Sequence, residues 1–319
     1  MSMKGTVVKN TGSSYSVRPD GGGAEIECRI KGNFRIKGIR TTNPVAVGDH
    51  VVFGEPGKDG VALITAIEPR RNYIIRKASN LSKAASIIAA NVDAALLVVT
   101  LAHPATSTTF IDRFLASASA YGVPAIIAIN KIDLLEDDAE DMELAEAVGY
   151  LYNSIGYPTV EVSAKTGGGL DALREILAGK VTLFSGNSGV GKSSLINTLV
   201  PGLNLRTGEL SAAHDAGMHT TTFSEMFNLP GGGSIIDTPG VRGFGTVEFD
   251  REEVGHFFPE IFAESRKCRF GNCTHTHEPG CAVLEAVADS RIAQSRYNSY
   301  LSILEEASEA SADKYRKPF

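Results

Sequence analysis

Between Lys4 and about Glu68, short runs of strand-forming residues alternate with polar turn residues. The runs cover residues 6–8, 15–17, 25–30, 50–53 and 61–67, and each predicts a short strand. Asp20-Gly-Gly-Gly23, Val47-Gly-Asp49 and Pro56-Gly-Lys-Asp-Gly60 supply the hairpin and corner chemistry between them. Five short strands predict a small β-barrel of a size that suits an OB-fold, whose open face and loops commonly bind oligonucleotides; an SH3-like barrel fits the same pattern. Residues 70–90, which begin Arg-Arg-Asn-Tyr-Ile-Ile-Arg-Lys and continue into a polar Ser/Ala segment, read as a linker.

The pattern then changes. Apolar runs at 94–100, 125–129, 160–162, 181–184 and 234–236 alternate with helical stretches such as 110–121 and 137–152. Continuous apolar strands separated by helices predict a largely parallel sheet covered on both faces. Near Phe249 the strand signal stops, and helical segments follow, ending in a Ser/Ala-rich charged helix over about 290–310. The expected architecture is therefore multidomain: a β-barrel at 1–77, an α/β domain at 78–246 and a helical module at 247–319.

Composition narrows the class. At 319 residues the chain suits two or three domains, and 43% hydrophobic with 21% charged residues excludes wholesale disorder and fibrous repeats. The longest apolar stretch, 92–102, includes Asp93 and falls well short of the roughly 20 residues of a membrane span, and Met-Ser-Met-Lys-Gly is not an export signal. A cytoplasmic protein with no membrane partner is expected. The net charge of −6 hides an asymmetry: residues 1–77 carry 13 Lys and Arg against 7 Asp and Glu, leaving 18 against 30 for the rest. A basic barrel on an acidic body points to nucleic acid at the barrel end.

The cysteines are also uneven. Cys28 stands alone and reads as a small apolar filler, whereas Cys268, Cys273 and Cys281 fall within 14 residues together with His275 and His277. An odd cluster in a reducing compartment favours three thiolates and one imidazole around a single structural Zn²⁺. His275, two residues after Cys273, is the expected fourth ligand, and His277 is left for an outer or nucleic-acid contact.

The sharpest motif follows the apolar run at 181–184. Gly186, Asn187, Ser188, Gly189, Val190, Gly191, Lys192 and Ser193 spell G-x-x-x-x-G-K-S between a strand and a helix that opens at Ser194. In such a loop, glycines let consecutive backbone N–H groups curl around phosphate oxygens. Lys192 reaches the β- and γ-phosphates, and Ser193 offers its hydroxyl to Mg²⁺. Asn130, Lys131 and Asp133 follow one apolar strand, and Ser163, Ala164 and Lys165 follow another, so both groups line the crevice at strand C-termini. They resemble the guanine-specifying G4 and G5 motifs of translation-factor and Ras-like GTPases. That resemblance makes Asp133 the acceptor of the guanine N–H donors that adenine lacks. Asp237-Thr-Pro-Gly240 resembles G3, with Asp237 in the Mg²⁺ shell and the Gly240 N–H at the γ-phosphate. Gly217-Met-His-Thr-Thr-Thr222 resembles switch I (G2), with Thr221 on Mg²⁺ and Thr220 as the alternative.

The motifs run G4, G5, G1, G2, G3, a circular permutation of the usual order. This order, with a basic barrel before and a Cys/His module after, resembles the RsgA (YjeQ/YloQ) family of GTPases dependent on the small ribosomal subunit. Gly32-Asn-Phe-Arg35, Val47-Gly-Asp49, Asn91-Val-Asp93, Asp112-Arg-Phe-Leu115 and Cys-x₄-Cys-x-His-x₅-Cys also match, and that spacing selects Cys268, Cys273, His275 and Cys281. The resemblance implies a monomer that hydrolyses GTP weakly alone, faster on the small subunit, late in that subunit's assembly and in contact with its 16S rRNA. Val241 stands where Ras-like enzymes carry the water-orienting glutamine, so His219 is the expected substitute catalytic group. Gly189 stands where potassium-activated relatives often have Asn. The G3 segment leads through Val241-Arg-Gly-Phe-Gly245 into the helical module, making switch II an interdomain tether. Arg29, Lys31, Arg35, Lys37 and Arg40, and separately Arg266, Lys267 and Arg269, are the expected RNA contacts. Two other uses stay open: a GTPase acting on another RNA or on the large subunit, and a module whose RNA affinity GTP merely switches.

Overall fold

The computed structural model describes residues 2–30, 44–77, 85–206, 224–238 and 249–316. Its first five strands, β1 (Met3–Asn10), β2 (Tyr15–Pro19), β3 (Ile26–Ile30), β4 (His50–Phe53) and β5 (Ala62–Ile67), close into a barrel in the order β1-β2-β3-β5-β4-β1. Every pairing is antiparallel except β3 with β5. That single parallel seam in a closed five-stranded Greek-key barrel is the OB arrangement, and it decides between the two barrels that periodicity alone admits. Val7, Tyr15, Val17, Val51, Phe53 and Ile64 fill the interior. Cys28 is among them, and burial pushes its thiol up to about 11, as an inert filler requires.

Residues 70–77 and 85–90 do not form the expected linker. β6 (Tyr73–Lys77) and β7 (Ala85–Ala90) form an antiparallel hairpin, with Ile74, Ile87 and Ala89 buried. Arg70, which makes the segment look solvated, forms a two-pronged ion pair at 2.6 Å on both prongs with Asp49, a fully buried carboxylate. A charge neutralised from another element carries no sign of burial in the sequence.

The second sheet orders its strands β10-β9-β8-β11-β13-β12: β8 (Ala94–Val99), β9 (Ala125–Asn130), β10 (Thr159–Val162), β11 (Val181–Gly186), β12 (Ser224–Asn228) and β13 (Ser234–Asp237). β8 to β11 and β13 run parallel, and β12 is antiparallel at the edge. All residues of β8 and β9 are buried because helices cover both faces. One face packs Leu97, Ile127 and Leu183 beneath α1 (Thr108–Ala120) and α2 (Ala139–Ser154). The other packs Leu96, Ala128 and Phe184 against α3 (Leu170–Leu177) and α4 (Lys192–Leu199). β12 also pairs with β1 through Lys9↔Glu225 and Asn10↔Ser224, so this sheet runs on into the barrel. No strand was expected at β12, whose Ser-Glu-Met-Phe-Asn is too polar to read as a buried strand.

The C-terminal part is helical, as expected: a 3-10 turn (Val254–Phe257), then α5 (Pro259–Ser265), α6 (Ala282–Ala288) and α7 (Gln294–Arg316). Phe258, Ile261, Val283, Tyr300 and Ile303 make its own core, which also takes in Ala116 of α1. Among the described residues, no helix is long and apolar enough to cross a membrane.

Candidate functional site

The loop between β11 and α4 owes its shape to glycine. At Gly186 (φ 153°) a Cβ would lie 2.6 Å from the Val98 carbonyl oxygen, and at Gly191 (φ 85°) it would lie 2.5 Å from Asn130 Nδ2. Only a residue without a side chain lets the loop press against β8 and β9. Gly191 is also the N-cap of α4 and offers no side-chain cap, so the helix's first N–H groups open onto the loop. Val190 turns inward and anchors the loop in the core, while Ser188 is exposed and Asn187, Gly189, Ser193 and Ser194 are half-buried.

Asn130 joins this loop to the other crevice segments. Its Nδ2 donates to the Val190 carbonyl at 2.8 Å, and its Oδ1 accepts from the Ala164 N–H at 3.2 Å. Asp133 Oδ1 accepts from the Ser163 hydroxyl at 2.6 Å, and the same hydroxyl oxygen accepts from the Thr166 N–H at 3.1 Å. Lys165 Nζ, on a largely exposed side chain, stands 3.9 Å from Asp133 Oδ2. Lys131 adopts a left-handed backbone (φ 65°) and donates from Nζ to the His103 carbonyl at 2.7 Å. Three motifs far apart in sequence thus converge on one crevice.

Lys192 Nζ contacts Asp237 Oδ1 directly and also donates to the Thr238 carbonyl at 3.3 Å. Asp237 is 1% exposed, and its Oδ2 has no hydrogen-bond partner among the described residues. A buried, orphaned carboxylate oxygen on the residue that contacts the lysine of a phosphate-type loop suits a hard, oxygen-seeking cation such as Mg²⁺. His219, Thr220, Thr221, Gly240 and Val241 lie outside the described residues, as do the expected RNA contacts Lys31, Arg35, Lys37 and Arg40.

One wall of the crevice was not anticipated. The segment between β8 and α1 brings the Pro104 ring to 3.4 Å from a Cβ placed on Gly189, and its His103 carbonyl holds Lys131. Thr100 pins it by donating its hydroxyl to the Pro104 carbonyl at 2.5 Å. Its sequence, Leu101-Ala-His-Pro-Ala-Thr106, carries no phosphate-binding signature.

The second centre is built from one short segment. The ligand atoms of Cys268, Cys273, His275 and Cys281 all lie within 4.8 Å of one another. His275 Nδ1 is 3.6 Å from Cys268 Sγ and 3.5 Å from Cys281 Sγ, and those two sulfurs are 3.9 Å apart. Ordinary zinc bond lengths arranged as a tetrahedron require about 3.6 Å between S and N and about 3.8 Å between sulfurs. The residues fit Zn²⁺. Desolvation keeps the His275 pKa below its ordinary value, which favours the neutral, ligating imidazole.

The segment around the ligands is held by its own polar groups. His275 adopts φ 57°, and its carbonyl accepts from the Tyr297 hydroxyl at 2.7 Å. The Glu278 carboxylate accepts from the Thr274 N–H at 2.7 Å, the Thr274 hydroxyl at 2.6 Å and the Thr276 N–H at 3.0 Å. Burial works to raise its pKa, but these hydrogen bonds outweigh it and hold the carboxyl well below the usual range. Neither Glu278, nor Tyr297, nor Tyr300, whose hydroxyl donates to the Thr274 carbonyl at 2.8 Å, stands out in the sequence.

With this geometry in view, the chain matches a family model described as RsgA GTPase over residues 67–247 and one described as RsgA N-terminal domain over residues 4–64. The small ribosomal subunit biogenesis GTPase RsgA of Bacteroides fragilis is 59% identical over 317 residues, covering 99% of this chain and 100% of the relative. The protein of the same name from Porphyromonas gingivalis is 58% identical over 321 residues, covering 99% and 100%. Among solved structures, YjeQ from Thermotoga maritima aligns with a TM-score of 0.78 and 34% identity, covering 96% of this chain and 99% of that one. YloQ, described as a circularly permuted GTPase, aligns with a TM-score of 0.73 and 30% identity, covering 100% and 97%.

Proposed function

The chain belongs to the RsgA GTPase family, and from that premise we propose that it hydrolyses GTP in the biogenesis of the small ribosomal subunit, in the cytoplasm and as a monomer. The observation that carries the reading is the double hydrogen bond of Asn130, which ties the phosphate loop to the Ser163–Lys165 segment and so sets phosphate-side and base-side residues along one crevice.

In this reading Asp133, already oriented by Ser163, accepts the guanine N–H donors, and Ser163, Ala164, Lys131 and Lys165 wall the base. The backbone of residues 186–191 cradles the phosphates, with Ser194 continuing the cradle into α4. Lys192 moves from Asp237 to the β- and γ-phosphates. Ser193, Asp237 and Thr221 are the residues that would hold Mg²⁺, which supplies neutralisation of the phosphate charge. His219 orients the attacking water in place of a glutamine, and the Gly240 N–H meets the γ-phosphate. Cys268, Cys273, His275 and Cys281 hold one structural Zn²⁺. The barrel (1–77) and the zinc module (247–319) supply the 16S rRNA contacts on either side of the GTPase domain (78–246).

The test is GTP turnover by the purified protein with small subunits, large subunits or free RNA added. Stimulation by small subunits alone is the expected outcome. Equal stimulation by large subunits or free RNA rejects the assignment of partner, and stimulation by none of them favours a GTP-switched RNA-binding module. His219→Ala is expected to lose the stimulated rate while GTP binding is retained.

A further inference from the structure

Beside the zinc centre lies a cleft of about 440 Å³ that the nucleotide chemistry does not use, lined by Arg251, Glu252, His256, Phe270, Asn272 and His275, with Gly255 in its floor. His275 is only 5% exposed. Its Nδ1 faces the sulfurs of Cys268 and Cys281, whereas Nε2 faces the Gly255 side, 3.9 Å from where a Cβ on Gly255 would stand. Nε2 has no hydrogen-bond partner among the described residues. A histidine that ligates a metal through Nδ1 carries its proton on Nε2, and such a proton ordinarily has an acceptor. Here the described residues supply none, and the cleft is the side from which an acceptor can reach it.

The rest of the wall describes that occupant. Phe270, 41% exposed, presents a large aromatic surface, with the Arg269 guanidinium 5.4 Å from its ring centroid. Arg251, Asn272 and the His275 N–H donate, while Glu252 and the Asn272 amide oxygen accept. A bare phosphate would want donors only; a wall of mixed donors and acceptors beside an aromatic ring suits the edge and face of a nucleobase. The volume is at the small end of ligand pockets and admits one such group rather than a helix. Arg266, Lys267 and Arg269 continue the sequence next to the cleft and suit the flanking phosphates.

We propose that this cleft binds one unpaired nucleotide of single-stranded RNA, its base stacked on Phe270 and hydrogen-bonded to His275 Nε2. The proposal deepens the RNA contact read for the zinc module and rests on it.

The test uses the full-length, zinc-loaded protein and fluorescein-labelled single-stranded RNA ten-mers of mixed sequence, read by fluorescence anisotropy. Phe270→Ala removes the stacking surface. Gly255→Leu fills the floor, where the nearest atoms stand 3.9 Å from a Cβ and φ is not left-handed. Each is expected to weaken single-stranded RNA binding about 10-fold, with one zinc per chain and unstimulated GTP turnover unchanged. Affinity for a ten-base-pair RNA duplex should not change. Parent-like binding of the ten-mers by both variants overturns the proposal. So does a photo-crosslink from Phe270→p-benzoylphenylalanine that goes to protein and not RNA on the small subunit. If small subunits fail to stimulate turnover yet both variants lose ten-mer binding, the assigned partner fails and the cleft stands. If stimulation is normal and the variants bind ten-mers normally, the reverse holds.

Discussion

The barrel meets the GTPase domain mainly through hydrogen bonds to backbone groups, whereas the zinc module meets it with a buried charge network at the centre of the junction. At the barrel, β1 hydrogen-bonds to β12, the Ala90 N–H donates to the Val47 carbonyl at 2.9 Å, and Asn91 Nδ2 donates to the Gly48 carbonyl at 3.0 Å. An ion pair there, Lys9 with Glu225 at 3.1 Å, is half-exposed, and Arg18 donates to the Asn228 side chain at 2.6 Å. At the zinc module, Arg296 of α7 is 1% exposed and donates at 2.7 Å to Asp112 of α1 and at 2.7 Å to Glu260 of α5. Its guanidinium also lies 4.6 Å from the Phe258 ring centroid, and Tyr152 donates to the same Asp112 oxygen at 2.8 Å. A backbone seam is indifferent to most side-chain changes; a buried charge network depends on every member.

That contrast can be broken most severely at the metal. Chelating the zinc, or Cys281→Ser, is expected to remove on the order of 10 kcal/mol of local folding free energy. Hydrogen exchange should show α5 to α7 losing protection while barrel amides keep theirs. Equal loss in both regions would mean the two junctions are not independent.

Next in size is Arg296→Met, which strands two carboxylates in the interior and should cost about 3–5 kcal/mol in urea unfolding. Burial already holds the Asp112 carboxyl above its ordinary value despite the Arg296 guanidinium, and losing that cation pushes it higher. A carboxyl whose folded pKa lies above its unfolded value favours the fold at low pH and loses that contribution as pH rises. The Arg296→Met deficit should therefore shrink between pH 7 and about pH 4, and adding Asp112→Leu should recover part of it at pH 7. A deficit independent of pH would assign the loss to packing alone.

At the barrel, the sensitive position is the backbone. Gly48 has φ 92°, and a Cβ there would lie 2.0 Å from the Ala90 carbonyl oxygen. Gly48→Ala should cost about 1–3 kcal/mol, and an unchanged urea midpoint would show that the seam gives way more readily than its geometry implies. The smallest effect belongs to Lys9→Ala, at most about 1 kcal/mol and absent in 1 M salt.

The chain's sequence alone carried the barrel, the parallel sheet with its permuted motif order, the phosphate loop and the Cys/His cluster that fits zinc. These are legible because each is local: a strand is a run of residues, the loop is eight consecutive positions, and the clustered cysteines and histidine fall between Cys268 and Cys281. Tertiary structure alone decided what depends on partners far along the chain. It paired residues 73–77 with 85–90 as strands and neutralised the neighbouring Arg70 against Asp49, 21 residues away. It made a strand of the polar β12 by giving it β13 on one side and β1 on the other, 216 residues distant at the Lys9–Glu225 contact. It buried Arg296, in a helix whose composition reads as solvent-exposed, because Asp112 waits 184 residues earlier. Periodicity and motif spacing report a residue's neighbours in sequence. Desolvation is set by neighbours in space, and for Arg70, Glu225 and Arg296 only the folded chain brings the compensating group within reach.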